Sequence, residues 1–282
     1  MSHPVRERTC ASLVLGLGMM LSGCGGGRTV SERLDALLPQ RTSSENAAWV
    51  QSQVTARAAP GNPALSRVVA GVWTGTLSYD GSRIPVTGAA TASGLILLTG
   101  DRHGFTLDQV TVGDGRFHAR IVLPDGTARV VTGRHEPGTF EGVLLPTGWT
   151  LSDYLGGRSP DESELPKFGS LRLRPDDTAP PAPALDVMSR RVRGDGPGGS
   201  YAGQLDQAGN LAMVAPGCEL SGAVMRSPSV GQLYELSVHA RGSNCPATGP
   251  SVGVARLKNE DALEVWLLND GRVFTLKVPR DL

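Results

Sequence analysis

The chain is short of aromatic rings, which make up 5% of its 282 residues, and it has no excess of either charge, with 27 basic residues against 27 acidic ones. Binding nucleic acid calls for a basic face and stacking rings, so no nucleic-acid partner is expected. Cysteine is scarce as well, four in all, and no two stand close enough to form a metal or dithiol motif. Long hydrophobic runs are missing but for one, Cys10 to Leu21. That is about a dozen residues, where a helix crossing a bilayer needs about 20. Catalytic signatures are missing too. There is no phosphate loop, His135-Glu136 runs into Pro137 instead of completing H-E-x-x-H, and "GGSYA" ends in alanine where G-x-S-x-G needs glycine. No catalytic residue, cofactor or metal site follows, and the chain is not expected to be an enzyme.

The one apolar run stands behind Arg6 and Arg8 and ends in Leu21-Ser22-Gly23-Cys24, followed by Gly25 to Gly27. Its length and flanks suit the core of a signal peptide. The quartet resembles the lipobox of bacterial lipoproteins. That resemblance implies removal of residues 1–23, acylation of Cys24 by palmitate-like chains, and a lipid bilayer as the first partner. It also implies an outer-membrane address, because Gly25 is not the Asp that retains such proteins at the inner membrane. The three glycines then make a loose tether. Removing residues 1–23 takes away Arg6, Arg8 and Glu7, leaving 25 basic and 26 acidic residues. Cys10 leaves with them, so Cys218 and Cys245 are the remaining pair. In an exported chain such a pair reads as a disulfide, closing a loop of about 28 residues worth roughly 3 to 4 kcal/mol.

What the chain has in plenty is turn residues, 37 glycines and 20 prolines, spread between short runs of period two. Phe117, Ala119, Ile121 and Leu123 share one face. Tyr234, Leu236, Val238 and Ala240 share another, which puts Glu235, Ser237, His239 and Arg241 on a wet side. "YDGS", "GDG", "PDG" and "NDG" fall where hairpin turns belong. His103 and His135 read as turn residues, and His118 as a solvated one. Ahead of the strands, Thr29 and Glu32 form a capping box for a helix stopped by Pro39. A second helix runs through "SSENAAWVQSQVTARAA", and residues 59–68 read as linker.

One strand pattern recurs. Gly71, Trp73, Gly75 and Leu77 are matched by Gly138, Phe140, Gly142 and Leu144, and again by Gly199, Tyr201, Gly203 and Leu205. Cys218, Leu220, Gly222 and Val224 make a degenerate fourth copy. Glycines at these positions let a strand bend while a ring lies over bare backbone, which suits a small barrel and makes Trp73, Phe140 and Tyr201 expected core rings. The first copy is similar to the opening strand of lipocalin-like barrels. Residues 199–282, with Cys218, Gly222 and Cys245, resemble small β-barrel domains of poorly characterised proteobacterial lipoproteins. The resemblance implies a fold and lends no activity.

The expected architecture is all-β: two small antiparallel β-barrel or meander domains after a lipidated tether and a short helical spacer. The boundaries are 1–23 for the signal peptide, 24–68 for tether and helices, 69–174 for the first β domain, 175–198 for a Pro/Gly-rich linker and 199–282 for the second. Asp153, Asp161, Glu162 and Glu164 fall in a long insertion that reads as solvated, and Arg190, Arg191 and Arg193 keep the linker soluble. The expected function is that of a membrane-anchored envelope lipoprotein, a non-enzymatic binding module for an envelope protein or cell-wall component. The alternative is a lipocalin-like carrier of a small apolar ligand. That needs room inside, whereas inward-facing Leu, Val and Phe would fill a barrel this small. A hydrolase would need a constellation that the chain does not offer.

Overall fold

The computed structural model describes residues 29–59, 61–100, 103–123, 125–136, 138–146, 148, 168–196, 199–259 and 262–279. The signal segment, Cys24 and the acidic insertion lie outside the described residues. Sixteen antiparallel strands dominate the described residues. The first eight are β1 (Gly71–Tyr79), β2 (Ser82–Ala90), β3 (Ile96–Gly100), β4 (His103–Gly113), β5 (Arg116–Val122), β6 (Ala128–Glu136), β7 (Thr139–Leu144) and β8 (Gly169–Pro175). Each pairs with the next, and β8 returns to β1, so the eight close into a barrel. Turn chemistry sets the registers. Asp80-Gly81 and Asp114-Gly115 both take positive φ, the geometry of the two-residue hairpin that matches strand twist.

The second eight are β9 (Arg190–Gly196), β10 (Gly199–Leu205), β11 (Asn210–Ala215), β12 (Cys218–Arg226), β13 (Tyr234–Arg241), β14 (Gly249–Asn259), β15 (Ala262–Asn269) and β16 (Arg272–Pro279). They run as a curled meander with β9 at its free edge. Strands β9 and β16 approach within 8 Å, Cα to Cα, without forming a ladder. A bridge between Val273 of β16 and Gly104 of β4 joins the two sets. Only glycine fits there, since a Cβ on Gly104 would lie 2.4 Å from that of Val273.

Among the described residues four helices dress the sheets: α1 (Val30–Leu37), α2 (Ser43–Arg57), α3 (Asn62–Val69) and the single turn α4 (Leu185–Met188). The Thr29–Glu32 capping box opens α1 as expected, and Thr42 with Glu45 opens α2 the same way. Both helices lie on the second set of strands, α1 over β10 and β11 and α2 over β12 to β14. Helix α3 replaces the linker expected at 59–68. Pro63 suits its first turn, and Leu65 and Val69 are buried in the first barrel's core, so the segment is an end cap. The linker expected at 175–198 also contains structure, namely α4 and β9. Three arginines and two glycines disguise β9, but an edge strand tolerates charge because one side of it meets water.

The wet face expected on β13 is dry at its centre. Glu235 is fully buried and Ser237 is 2% exposed. The outer faces of β12 to β15 pack on α2 and on the outside of the first barrel, in a shared core that includes Val50, Val54, Val72, Leu97, Val254 and Trp266. Strands buried on both faces do not alternate, which explains the unbroken apolar runs in "AVM" and "VWLL".

Candidate ligand-binding cavity

The inward faces of the two β sets have different fates. In the first barrel, Leu77, Phe117, Ile121, Phe140 and Leu144 fill the centre, and the void beside Trp73 is only 10 Å³. Phe117 stacks on Phe140 with centroids 4.0 Å apart. The second set holds a cavity of 110 Å³. Its walls include Val192, Leu205, Leu236, Ala255, Leu267 and Leu276, drawn from strands on all sides. Strand alternation places them: Ala202, Ala212 and Val214 face outward under α1, so Gly203, Leu205, Leu211 and Met213 face inward.

One end of this second set is plugged. Leu185 and Met188 of α4 line the cavity, and the chain leading into the helix is tied down by three bonds. The Tyr234 hydroxyl donates to the Pro183 carbonyl at 2.7 Å, the Ala182 N–H to Gly231 O at 2.8 Å and the Gln232 amide to Ala179 O at 3.1 Å. Arg256 pins the start of the same connection. Its guanidinium lies 2.9 Å from Asp176 and 3.2 Å from Glu264, all three side chains being largely shielded from water. Burial alone would raise the Asp176 carboxyl, but donation from Thr178 and Arg256 outweighs it and holds the group below the usual carboxylate range.

The long side of the cavity is not laddered. Arg190 and Val192 line it from β9, and Leu276 and Val278 from β16, across the unpaired seam. Arg190 is half-buried and is the one charged residue among the described lining residues. Its neighbour Arg191 points the other way, donating to Ser31 at 2.8 Å and Asp35 at 2.7 Å of α1 and so fastening the helix to the edge strand.

The predicted site residues divide among these places. Trp73 and Phe140 are buried in the first barrel, and the Trp73 indole N–H donates to Val69 O at 2.6 Å. Tyr201 is only half-buried and is not the equivalent core ring that the repeat implies. Its strand is flanked by an edge strand that leaves the second set open. A Cβ on Gly142 would meet the Phe117 ring at 3.1 Å, so bare backbone under a ring is realised there. Gly75 is required instead by the close approach of β8, since its Cβ would fall 1.9 Å from Arg172 O. Gly203 lies in the cavity wall. Cys218 and Cys245 form the expected disulfide, joining the start of β12 to the β13–β14 loop. His135 belongs to strand β6 instead of a turn, and His118 shares a 3.0 Å hydrogen bond with Thr132.

Sequence reasoning missed Arg190 as a lining residue and Glu235 as a buried acid. The alternation within "RRVR" carries the signal for the first. Nothing local carries it for the second, since the cover over Glu235 comes from α2 and from the β2–β3 loop, where Ser93 donates to it at 3.0 Å. Compared with known proteins, the chain matches no family, no curated protein and no solved structure.

Proposed function

We propose that the chain is an envelope lipoprotein, anchored through acylated Cys24, that acts without catalysis by binding a small apolar ligand inside its second β set. The cavity between β9 and β16 carries this reading. Void space walled by aliphatic side chains stays dry, and it recovers lost dispersion contacts when an apolar molecule enters. The filled first barrel supplies the contrast, since the same type of strand set can pack solid when no space is needed. The anchor is supported by the sequence of residues 21–24 and by position. Thr29, the cap of α1, stands five residues after Cys24, a reach of roughly 18 Å at full extension. Because α1 packs on β10 and β11, the anchor would hold the cavity-bearing set next to the bilayer.

The test is native mass spectrometry of the protein extracted gently from its source membrane, together with a Cys24→Ser variant. The wild-type chain should carry acyl chains at Cys24 and retain a small apolar molecule, and the variant should remain an unacylated precursor. A retained protein with no small molecule would favour the envelope-interaction module over the carrier.

A further inference from the structure

We infer that the outer face of the first barrel binds an anionic saccharide, laid along β1 in a groove walled by Arg172 and Arg174 of β8. The site is separate from the cavity of the second set and does not rest on the carrier reading. Strand alternation builds it. Leu77 of β1 and Leu171 and Leu173 of β8 are buried in the barrel core, so the residues between them point to water. Thr74, Thr76 and Ser78 of β1, with Arg172 and Arg174 of β8, thereby line a shallow groove of 260 Å³. Register orders it. Thr74 stands opposite Arg174 and Thr76 opposite Arg172. On the other side of β1, Ser78 stands opposite Arg83 of β2, the third lining cation. Two residues along a strand span about 7 Å, so a linear ligand on β1 meets a hydroxyl and a guanidinium at each such step.

Charge sets the sign of the ligand. The whole chain is balanced, with 27 basic and 27 acidic residues. Among the described lining residues, however, three arginines stand against one carboxylate, Glu141. Glu141 lies 3.6 Å from Arg172, both side chains being largely exposed. Arg83 and Arg174 are exposed and have no anionic partner among the described residues. A guanidinium so placed offers paired hydrogen bonds to a carboxylate or phosphate without first giving up another partner.

The hydroxyls set the class. Serine and threonine oxygens both donate and accept, as the hydroxyls of a sugar do. A protein partner would need an apolar or aromatic anchor site, and a nucleic acid would need a ring for its bases to stack on. Neither is found among the described lining residues, where the one large apolar side chain, Leu173, belongs to the barrel core.

The experiment measures binding to the whole protein by calorimetry. The probes are a galacturonate tetrasaccharide, phosphorylated maltotetraose, plain maltotetraose and tetraglutamate. One of the anionic sugars should bind about tenfold or more tighter than plain maltotetraose and than tetraglutamate. Whichever it is identifies the anion as carboxylate or phosphate, and either supports the inference. The Arg172→Gln/Arg174→Gln double variant should bind that sugar about tenfold more weakly with an unchanged melting temperature, since exposed charges contribute little to stability. Arg134→Gln, an exposed change on β6 outside the groove, should leave binding unaltered. Thr76→Val, which keeps the shape and removes a hydroxyl, should weaken the sugar and not tetraglutamate. Tetraglutamate binding as tightly as the sugars would overturn the saccharide in favour of an acidic peptide. Anionic and plain sugars binding alike would overturn the anion. No binding of any probe, or equal losses in the double variant and Arg134→Gln, would overturn the groove as a site.

Discussion

Glu235 is fully buried on the outer face of β13, accepting from Ser227 at 2.7 Å and Ser93 at 3.0 Å. Desolvation raises its carboxyl above the ordinary value, and the two hydroxyl donors offset only part of that. The sign of the stability effect follows. Below the unfolded-state value near 4.5 both states hold the proton and there is no penalty. As pH rises, the unfolded chain releases its proton while the folded one keeps it, so stability falls until the folded-state value is passed. Glu235→Gln keeps a hydrogen bond to each serine and cannot ionise. It should melt higher than the wild type at pH 7 and no higher at pH 4; an equal offset at both would show that the group is not the source. The repeat residues permit a second test at this scale. Phe140→Ala should cost about 3 to 5 kcal/mol in chemical denaturation, and Tyr201→Ala distinctly less, because one ring is buried and the other half-buried. Three matched motifs in sequence thus correspond to two core rings and one partial one. The motif encodes strand curvature, whereas burial depends on whether the strand's neighbours close around it.

At the scale of elements, what could be read early was whatever local chemistry decides: the Thr29 capping box, the Asp-Gly hairpins, the alternation of β5 and the pairing of Cys218 with Cys245. What escaped is whatever distant partners decide. Helix α3 looks like loop by composition and becomes an end cap because the first barrel needs Leu65 and Val69. The cavity escaped for the same reason, since the inward residues of the second set are as aliphatic as those of the first and only their spacing in the assembled sheet leaves room. The start of the connection from β8 to β9 is pinned by one ion cluster. Arg256→Met should leave Asp176 and Glu264 buried without their cation, at a cost of about 3 to 5 kcal/mol. Replacing all three with apolar residues of similar size should recover much of that. A single mutant as stable as the wild type in urea titration would mean that the cluster does not hold the connection.

For the whole molecule, the question is whether the two β sets unfold together or apart. A Pro/Gly-rich connection alone predicts separate melting. The packing predicts coupling, because Val72 and Leu97 of the first set share a core with Val254 and Trp266 of the second, and α2 inserts Val50 and Val54 between them. Polar links run across the same junction. The Gln51 amide of α2 donates to the Ser93 hydroxyl at 2.8 Å, and the Ala92 N–H to the Ser229 hydroxyl at 3.1 Å. Val54 is fully buried, and an aspartate there would place an unpaired carboxylate among apolar side chains from both sets. Val54→Asp should therefore lower the unfolding of both together. The measurement is a thermal melt read at two places, near-ultraviolet signal from Trp73 in the first barrel and from Trp266 in the second, each isolated by replacing the other tryptophans with phenylalanine. Coincident transitions that fall together in the Val54→Asp variant would establish one cooperative unit. If the Trp73 signal keeps its midpoint while that of Trp266 falls, the barrel stands alone and the shared core is only a contact between independent bodies. Coupling is the expected result, because among the described residues the buried faces of β12 to β15 are covered by α2 and the first barrel, and separating the sets would expose the fully buried Trp266 and Val254 to water.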